Sequence, residues 1–386
     1  MHGRIDSILR VEWRPLAKLG ELTAPWRKLA ERALEPNVFY EPSFAMPAEP
    51  VFGSDVSAAL VWSGSASPQL LGFFPARIEH RRYAIGMPVL VGWTHPYAPL
   101  GAPLVDRENC GRVIGAWLDD VARHPHLPKL MLLPYLPDEG PLAGAFEDAL
   151  AARAARSVRF ARHARAVLAP GNKRESYLAG AIDRKKRKEL RRQRKRLGEC
   201  GELTLVDACD APAVAGAFDD FLLLEARGWK GRAGTAARCD ECVARFMHRA
   251  VTSLASEGKA RILRLCTEGR PIASILTLRS GDTAWCWKIA YDEGKARFSP
   301  GVQVLLDETE ILLADRSIVQ TDSCATAGHP MIDHIWRERR ALADRLIGLG
   351  PSTSIRFALA CGLEGLRRCA IGAATTMRNA NFSRMK

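Results

Sequence analysis

The sequence predicts an α/β protein made of two copies of one arrangement, each a mixed, mostly antiparallel sheet flanked by helices. Three observations predict it. The order strand, helix, helix, three strands, helix, strand, helix, strand reads twice along the chain. In the second copy, three strands are joined by the turns Glu268-Gly269-Arg270 and Ser280-Gly281-Asp282, which suits a meander. Finally, Asp282–Leu313 reads as strand, short loop and helix. Trp285, Trp287, Ile289 and Tyr291 alternate with the period of a strand, a polar loop follows, and Pro300-Gly301 opens a helix carrying Val304, Leu305, Ile311 and Leu312.

The first half justifies its elements in order. A strand is expected over Ser7–Trp13, a helix over Glu21–Leu34 and a helical piece over Pro42–Met46. Strands follow over Ser57–Trp62, Gln69–Glu79 and Arg82–Leu90, then a Pro/Gly-rich loop over Trp93–Leu104. A helix over Glu108–Ala122, a strand over Lys129–Pro134, a helix over Pro141–Ala154 and a strand over Ser157–Leu168 complete the copy. Ala169-Pro170-Gly171 marks a border, so the expected domains are 1–168 and 172–386.

The second half opens with a basic helix expected over 174–198, with a thin apolar stripe of Leu178, Ile182, Leu190 and Leu197. A strand over Glu202–Asp207, helices over Pro212–Arg227 and Cys239–Ser256, and strands over Ala260–Cys266, Pro271–Arg279 and Thr283–Tyr291 follow. After the Pro300 helix come a strand over Ser317–Asp322, a short helix over Met331–Arg337, a strand over Ala341–Gly348 and a helix from Thr353.

Charge is concentrated in one place. Arg184–Arg196 holds ten basic residues and one acid, nine of the net thirteen positive charges. Such a helix neutralises phosphates, so an anionic polymer, tRNA or an anionic membrane surface is its expected partner; a solvated rod without a partner is the plainer alternative. No run of about 18 apolar residues predicts a membrane span. The first residues look like a strand and not a secretion signal, which makes the cytoplasm the expected compartment. The ten cysteines are scattered and read as reduced thiols. Cys239 and Cys242 form the one C-x-x-C, and with His248 alone beside them no metal site is expected.

Helix N-termini hold anions. In the strand–loop–helix a phosphate would sit on the N–H groups of Gly301, Val302 and Gln303, with the Ser299 hydroxyl and the charges of Arg297 and Lys295 beside it. A helix start with nothing bound is the alternative. Tyr291 ends the strand where ligand crevices open in such sheets.

The set KKRKELRRQRKRLGECGEL (Lys185–Leu203), FLLLEARGWKGRAGTA (Phe221–Ala236), Gly269–Leu305 and GHPMIDHIW (Gly328–Trp336), in this order, resembles the GNAT acyltransferases. Two copies in one chain resemble the FemAB-like transferases, and more narrowly the BioF2-like (CelD-like) family. The resemblance covers about 165–350 well and 1–165 loosely. It implies two tandem GNAT-like (acyl-CoA N-acyltransferase) domains, with the first a degenerate copy that holds no cofactor. The implied reaction moves an acetyl or acyl group from acetyl-CoA or another acyl-CoA directly to a small-molecule or saccharide amine, in the setting of polysaccharide biosynthesis. A FemAB-like enzyme would instead take its acyl group from an aminoacyl-tRNA. Ala296-Arg297-Phe298-Ser299-Pro300-Gly301 stands where the family has its glycine-rich pyrophosphate loop.

The resemblance also implies site roles. The strand ending at Asp322 splays from its neighbour, and the thioester lies in the gap, so Asp322 and His329 are candidates to deprotonate the attacking amine. For His329 the alternative is a histidine capping the turn at Pro330. Tyr291 is the candidate acid for the leaving thiolate. Cys324 beside them invites a covalent route, which direct transfer does not need. Glu225, Trp229 and Lys230 would line the acceptor side; a Trp229 that anchors its loop is the alternative.

Overall fold

A computed structural model describes residues 9–64, 67–349 and 354–384. Ser7 and Thr353, the expected starts of the first strand and last helix, lie outside the described residues. The chain forms two compact units. One comprises 1–35, 55–163 and 341–386; the other comprises 36–54 and 164–340. The passage from one to the other at 163/164 falls close to the expected border, but the units are not the two halves of the sequence. Segment 36–54 packs with the second unit and 341–386 with the first.

In the first unit the strands run Arg10–Pro15, Ser57–Trp62, Leu70–Glu79, Val89–Gly92, Leu130–Pro137 and then 341–348, each hydrogen-bonded to the next. Neighbours are antiparallel except for the parallel pairing Leu90↔Met131 and Val91↔Leu132. Val89, Val91, Leu130, Leu132 and Leu346 pack against Phe357 and Ala360 of the helix Ser354–Arg384.

The second unit repeats this plan with Leu203–Ala208, Ala260–Thr267, Arg270–Ser280, Thr283–Tyr291, Gln320–Asp322 and then 164–168. Its one parallel pair is Thr283–Tyr291 with Gln320–Asp322. In each unit the strand beyond the parallel pair comes from the other half of the sequence: 341–348 beside 130–137, and 164–168 beside 320–322.

Helices Ala211–Arg227 and Glu241–Ser256 cover one face of the second sheet, and Pro300–Ala314 covers the other. Apolar periodicity explains both: Phe218, Phe221 and Leu222 face inward from the first helix, and Val304, Leu305 and Leu312 from the third. Segment 36–54 supplies aromatic packing to the first face. Phe39 stands edge-on to Trp285, and Phe44 to Trp287 and Phe246.

Four expectations need correction. Residues 82–88 form turns, and the ladder there begins at Val89. The strand before Asp322 starts at Gln320 and not Ser317. Residues 331–335 are successive turns and not a helix. The basic helix is broken: Tyr177–Ala181 ends at Ile182, which is buried and extended, and Asp183 restarts the chain by accepting the Lys186 N–H at 2.9 Å. The charged helix is therefore Arg184–Gly198, 15 residues, or about 22 Å long.

Candidate active site

The site is built around the strand Thr283–Tyr291, which breaks two regularities at once. On one edge it pairs with Arg270–Ser280, where Leu276 faces Lys288 and Thr277 faces Cys286. Trp287 is the extra residue, a β-bulge. The bulge resets the alternation. Trp285, Trp287 and Lys288 face the helices Ala211–Arg227 and Glu241–Ser256, while Ala284, Cys286, Ile289 and Tyr291 belong with the cluster around Pro300–Ala314. The expected face shared by the tryptophans and Tyr291 therefore does not form. On the other edge, the parallel ladder stops after Trp285↔Asp322. Beyond that pair residues 286–291 have no strand partner on this edge.

Tyr291 ends the strand over the first turn of Pro300–Ala314. A Cβ on Gly301 would lie 2.9 Å from Tyr291 Cδ1, so glycine is what lets the ring lie there. Ser299, left-handed at φ 52°, is the residue from which the helix starts, and its carbonyl oxygen accepts from Val302 at 2.9 Å and Gln303 at 3.0 Å. Gln303 is thus the fourth helical residue, and its N–H closes the first full helical turn. Its buried amide also donates to the Leu190 carbonyl at 2.9 Å. Pro300 has no N–H, so the first turn offers a pyrophosphate the Gly301 amide and not the three amides expected. The backbone alone does not fit that group. Half-buried Lys295 and exposed Arg297, whose guanidinium lies 4.6 Å from the Phe298 ring, are the cations beside the turn.

The basic helix runs alongside. Leu190 meets Gln303 through the hydrogen bond above, and Arg194 grips Asp307 with two bonds of 2.9 and 2.8 Å. Leu190 and Leu197 are buried, whereas Arg184, Lys185, Lys188, Arg191, Lys195 and Arg196 are exposed.

On the opposite face, Glu225 is buried at the end of its helix. It accepts from Lys230 Nζ at 2.7 Å and from the Ala237 N–H at 3.0 Å, with Lys288 Nζ 3.7 Å away. Burial alone would raise the Glu225 carboxyl, but the charges of Lys288 and Lys230 and the two hydrogen bonds outweigh it and hold it below its ordinary value. Burial brings the Lys288 ammonium down to about 8 despite Glu225. A pocket at the strand's end is lined by Glu225, Trp229, Lys230, Ala290, Tyr291 and Glu293. Trp229 is 53% exposed, and its N–H donates to Glu293. The structure therefore joins the expected acceptor trio to Tyr291. It adds Lys288, signalled in the sequence as the one cation inside an aromatic strand.

Asp322 and His329 are placed differently. Asp322 is 1% exposed and held by Arg165 at 3.0 Å and Arg340 at 3.8 Å, and its Oδ1 accepts the Cys324 N–H at 2.8 Å. Asp322 is thereby engaged in a buried ion-pair cluster. His329 is half-exposed, and its Nδ1 accepts the Met331 N–H at 3.3 Å, which is the cap on the Pro330 turn. Burial lowers its pKa and Asp333 works against that. Burial and then Asp322 push the Cys324 thiol well above its usual value, against a covalent route. Cys239 and Cys242 are exposed, and no cluster of three or more His, Cys, Asp or Glu suited to a metal occurs among the described residues.

Residues 184–310 match the family model described as an acetyltransferase (GNAT) domain. Over this segment the chain is similar to GNAT-type domains. Two solved structures share the fold of the chain. One is the C-terminal domain (DUF2156) of a putative lysylphosphatidylglycerol synthetase from Agrobacterium fabrum, at TM-score 0.55 and 11% identity, covering 90% of this chain and 96% of that one. The other is FemX, at TM-score 0.55 and 10% identity, covering 85% and 96%. At such identities the likeness is one of fold, and its extent takes in both units, in accord with the FemAB-like tandem GNAT architecture. None of the curated proteins matches the sequence. In this segment the unpaired edge at residues 286–291, the first turn of Pro300–Ala314 and the Glu225 wall meet at the end of one strand. No described helix is long and apolar enough to cross a membrane.

Proposed function

We propose that the second unit transfers an acyl group from an acyl-CoA thioester directly to an amine. The observation that carries this reading is the strand Thr283–Tyr291, which loses its parallel neighbour after Trp285 and ends over a helix start. An extended thioester arm can lie along that edge and hydrogen-bond to the strand where it lacks a partner, with its acyl carbon beside the pocket of Glu225, Trp229 and Tyr291. The donor supplies the activated carbonyl. The chain's own groups bind and manage protons: Lys295 and Arg297 attract phosphate, Tyr291 gives a proton to the departing sulfur, and Trp229 presents an exposed ring on which a sugar-borne amine can stack. With Asp322 tied to two arginines and His329 capping a turn, Lys288, at about 8, is the titrating group behind the acceptor wall. The BioF2-like resemblance favours an amine of polysaccharide metabolism as acceptor.

One observation favours a second donor. The basic helix lies along Pro300–Ala314 through Gln303 and Arg194, so a long polyanion could bind beside that helix, as an aminoacyl-tRNA would require. Calorimetric titration with acetyl-CoA, run beside filter binding of tRNA, separates the two. Acetyl-CoA binding that survives changing Lys185, Lys188, Arg191, Lys195 and Arg196 to Gln supports the first. No heat at saturating acetyl-CoA with wild-type protein overturns it.

A further inference from the structure

The first unit ends in the helix Ser354–Arg384, and its two long faces differ. One face is fixed to the unit. Phe357 and Ala360 are buried in the apolar cluster, and a Cβ on Gly348 would lie 2.7 Å from the Phe357 ring. Glu364, fully buried, takes both ends of the Arg82 guanidinium at 2.9 and 3.0 Å, and Arg368 reaches Asp344 at 2.6 Å. The opposite face carries large apolar side chains in water: Ile355 is 82% exposed, Leu359 48% and Leu366 70%.

These three residues follow one another at intervals of four and seven, so they form one stripe. Gly362 and Ala373 continue it with small residues. Scattered exposed leucines need no explanation, but an exposed row on a single helix does. At its N-terminal end the row adjoins a groove lined by Ile78, Ile85, Met87, Leu127, Arg356 and Leu359, with exposed Ile85 on its rim. No acidic residue lines that groove. Arg356 and Arg367 flank the stripe on one side, eleven residues apart and so nearly in line. From Gly365 to the end, the sequence holds five basic residues and no acid.

We propose that this face of the first unit docks on an anionic lipid bilayer, with Ile355, Leu359 and Leu366 entering the interface and Arg356 and Arg367 meeting lipid phosphates. Charge complementarity selects the occupant. A helix that combines an apolar stripe with flanking arginines and no exposed acid matches a negatively charged surface with an apolar interior. A second copy of the same helix would oppose arginine to arginine along the seam. The basic helix Arg184–Gly198 differs in kind: its leucines are buried, so it attracts anions without an apolar foot in the bilayer. The docking proposal stands independently of the acyl-transfer reading.

The experiment is flotation of the full chain with vesicles of phosphatidylglycerol and phosphatidylcholine, and with phosphatidylcholine alone. Wild-type protein is expected to float with the anionic vesicles and not with the neutral ones. The triple variant Ile355→Ser, Leu359→Ser, Leu366→Ser removes three exposed side chains. It should keep its fold by circular dichroism and lose vesicle partitioning roughly 30-fold or more, from the apolar area withdrawn from the interface. The Gln variant of the basic helix should retain at least half of wild-type partitioning. Three outcomes overturn the proposal: equal flotation of the triple variant, loss of flotation with the basic-helix variant alone, or a wild-type dimer dissolved by the triple change with no vesicle binding.

Discussion

Asp322→Asn separates a structural carboxylate from a catalytic one. The substitution keeps the side chain's shape and an acceptor for the Cys324 N–H, now at 2.8 Å, and removes only the charge. Arg165 and Arg340 have side chains 3% and 11% exposed, so each would lose a charged partner in a largely dry environment. Breaking a buried pair in this way costs about 3–5 kcal/mol. For a unit of roughly 200 residues each kcal/mol shifts the melting temperature by about 2–4 °C, so a fall of roughly 6–20 °C is expected. Differential scanning calorimetry at pH 7 reads this directly. The double change Arg165→Met, Asp322→Leu replaces the closest pair with apolar groups and should recover a good part of the loss. If Asp322→Asn melts with wild type yet loses acyl transfer, Asp322 is the base and the ion-pair account is wrong.

Gly231 and Gly301 should differ in what a methyl group costs. A Cβ on Gly231 would sit 1.7 Å from the Ala226 carbonyl oxygen, a backbone atom that cannot swing aside. Gly231→Ala should therefore cost about 3 kcal/mol or more in urea unfolding. Gly301→Ala meets the half-buried Tyr291 ring, which can tilt away. It should cost less than about 1 kcal/mol in the same measurement and still lower the turnover number. Cys324 and Cys286, whose thiols are pushed well up by burial, should resist iodoacetamide at pH 7.5 while exposed Cys200, Cys239 and Cys242 react, as read by peptide mass spectrometry. Lys288 titrates lower in the folded chain, about 8, than its usual 10.5. The unfolded chain then holds more protons between those values, so this group's contribution to stability rises from pH 8 to 10. The stability of wild type minus that of Lys288→Met should rise over that window, and a flat difference would contradict the assignment.

The elements with strong local signals were legible in the sequence. Ser57–Trp62 appears with the expected bounds, and Thr283–Tyr291 and the helix begun by Pro300 follow from period two, period 3.6 and a proline in the first turn. What local pattern could not show was set by distant partners. Residues 341–348 read correctly as a strand, but nothing in them says that they pair with 130–137 in the first unit. Asp322 was noticed as a carboxylate at a strand end. Its role follows from Arg165 and Arg340, which lie far from it in sequence and carry no motif. The basic run hid its own break, because Asp183 is an N-cap only when Ile182 is extended and buried.

The bulge at Trp287 explains most of the remaining difference, and it links the two walls of the site. Strict alternation would turn Tyr291 toward the tryptophans and Lys288 toward Val304 and Leu305, away from Glu225. One extra residue reverses both. Lys288 reaches Glu225, which also holds Lys230 and the Ala237 amide and so fixes the loop that carries Trp229. Tyr291 turns onto the helix side, where only a glycine at 301 admits its ring. The residue needed at 301 is thus set by packing against the strand as well as by any bound anion. The helix start is shaped by an aromatic ring and not by a glycine-rich loop, and the charged side chains beside its first turn are those of Lys295 and Arg297.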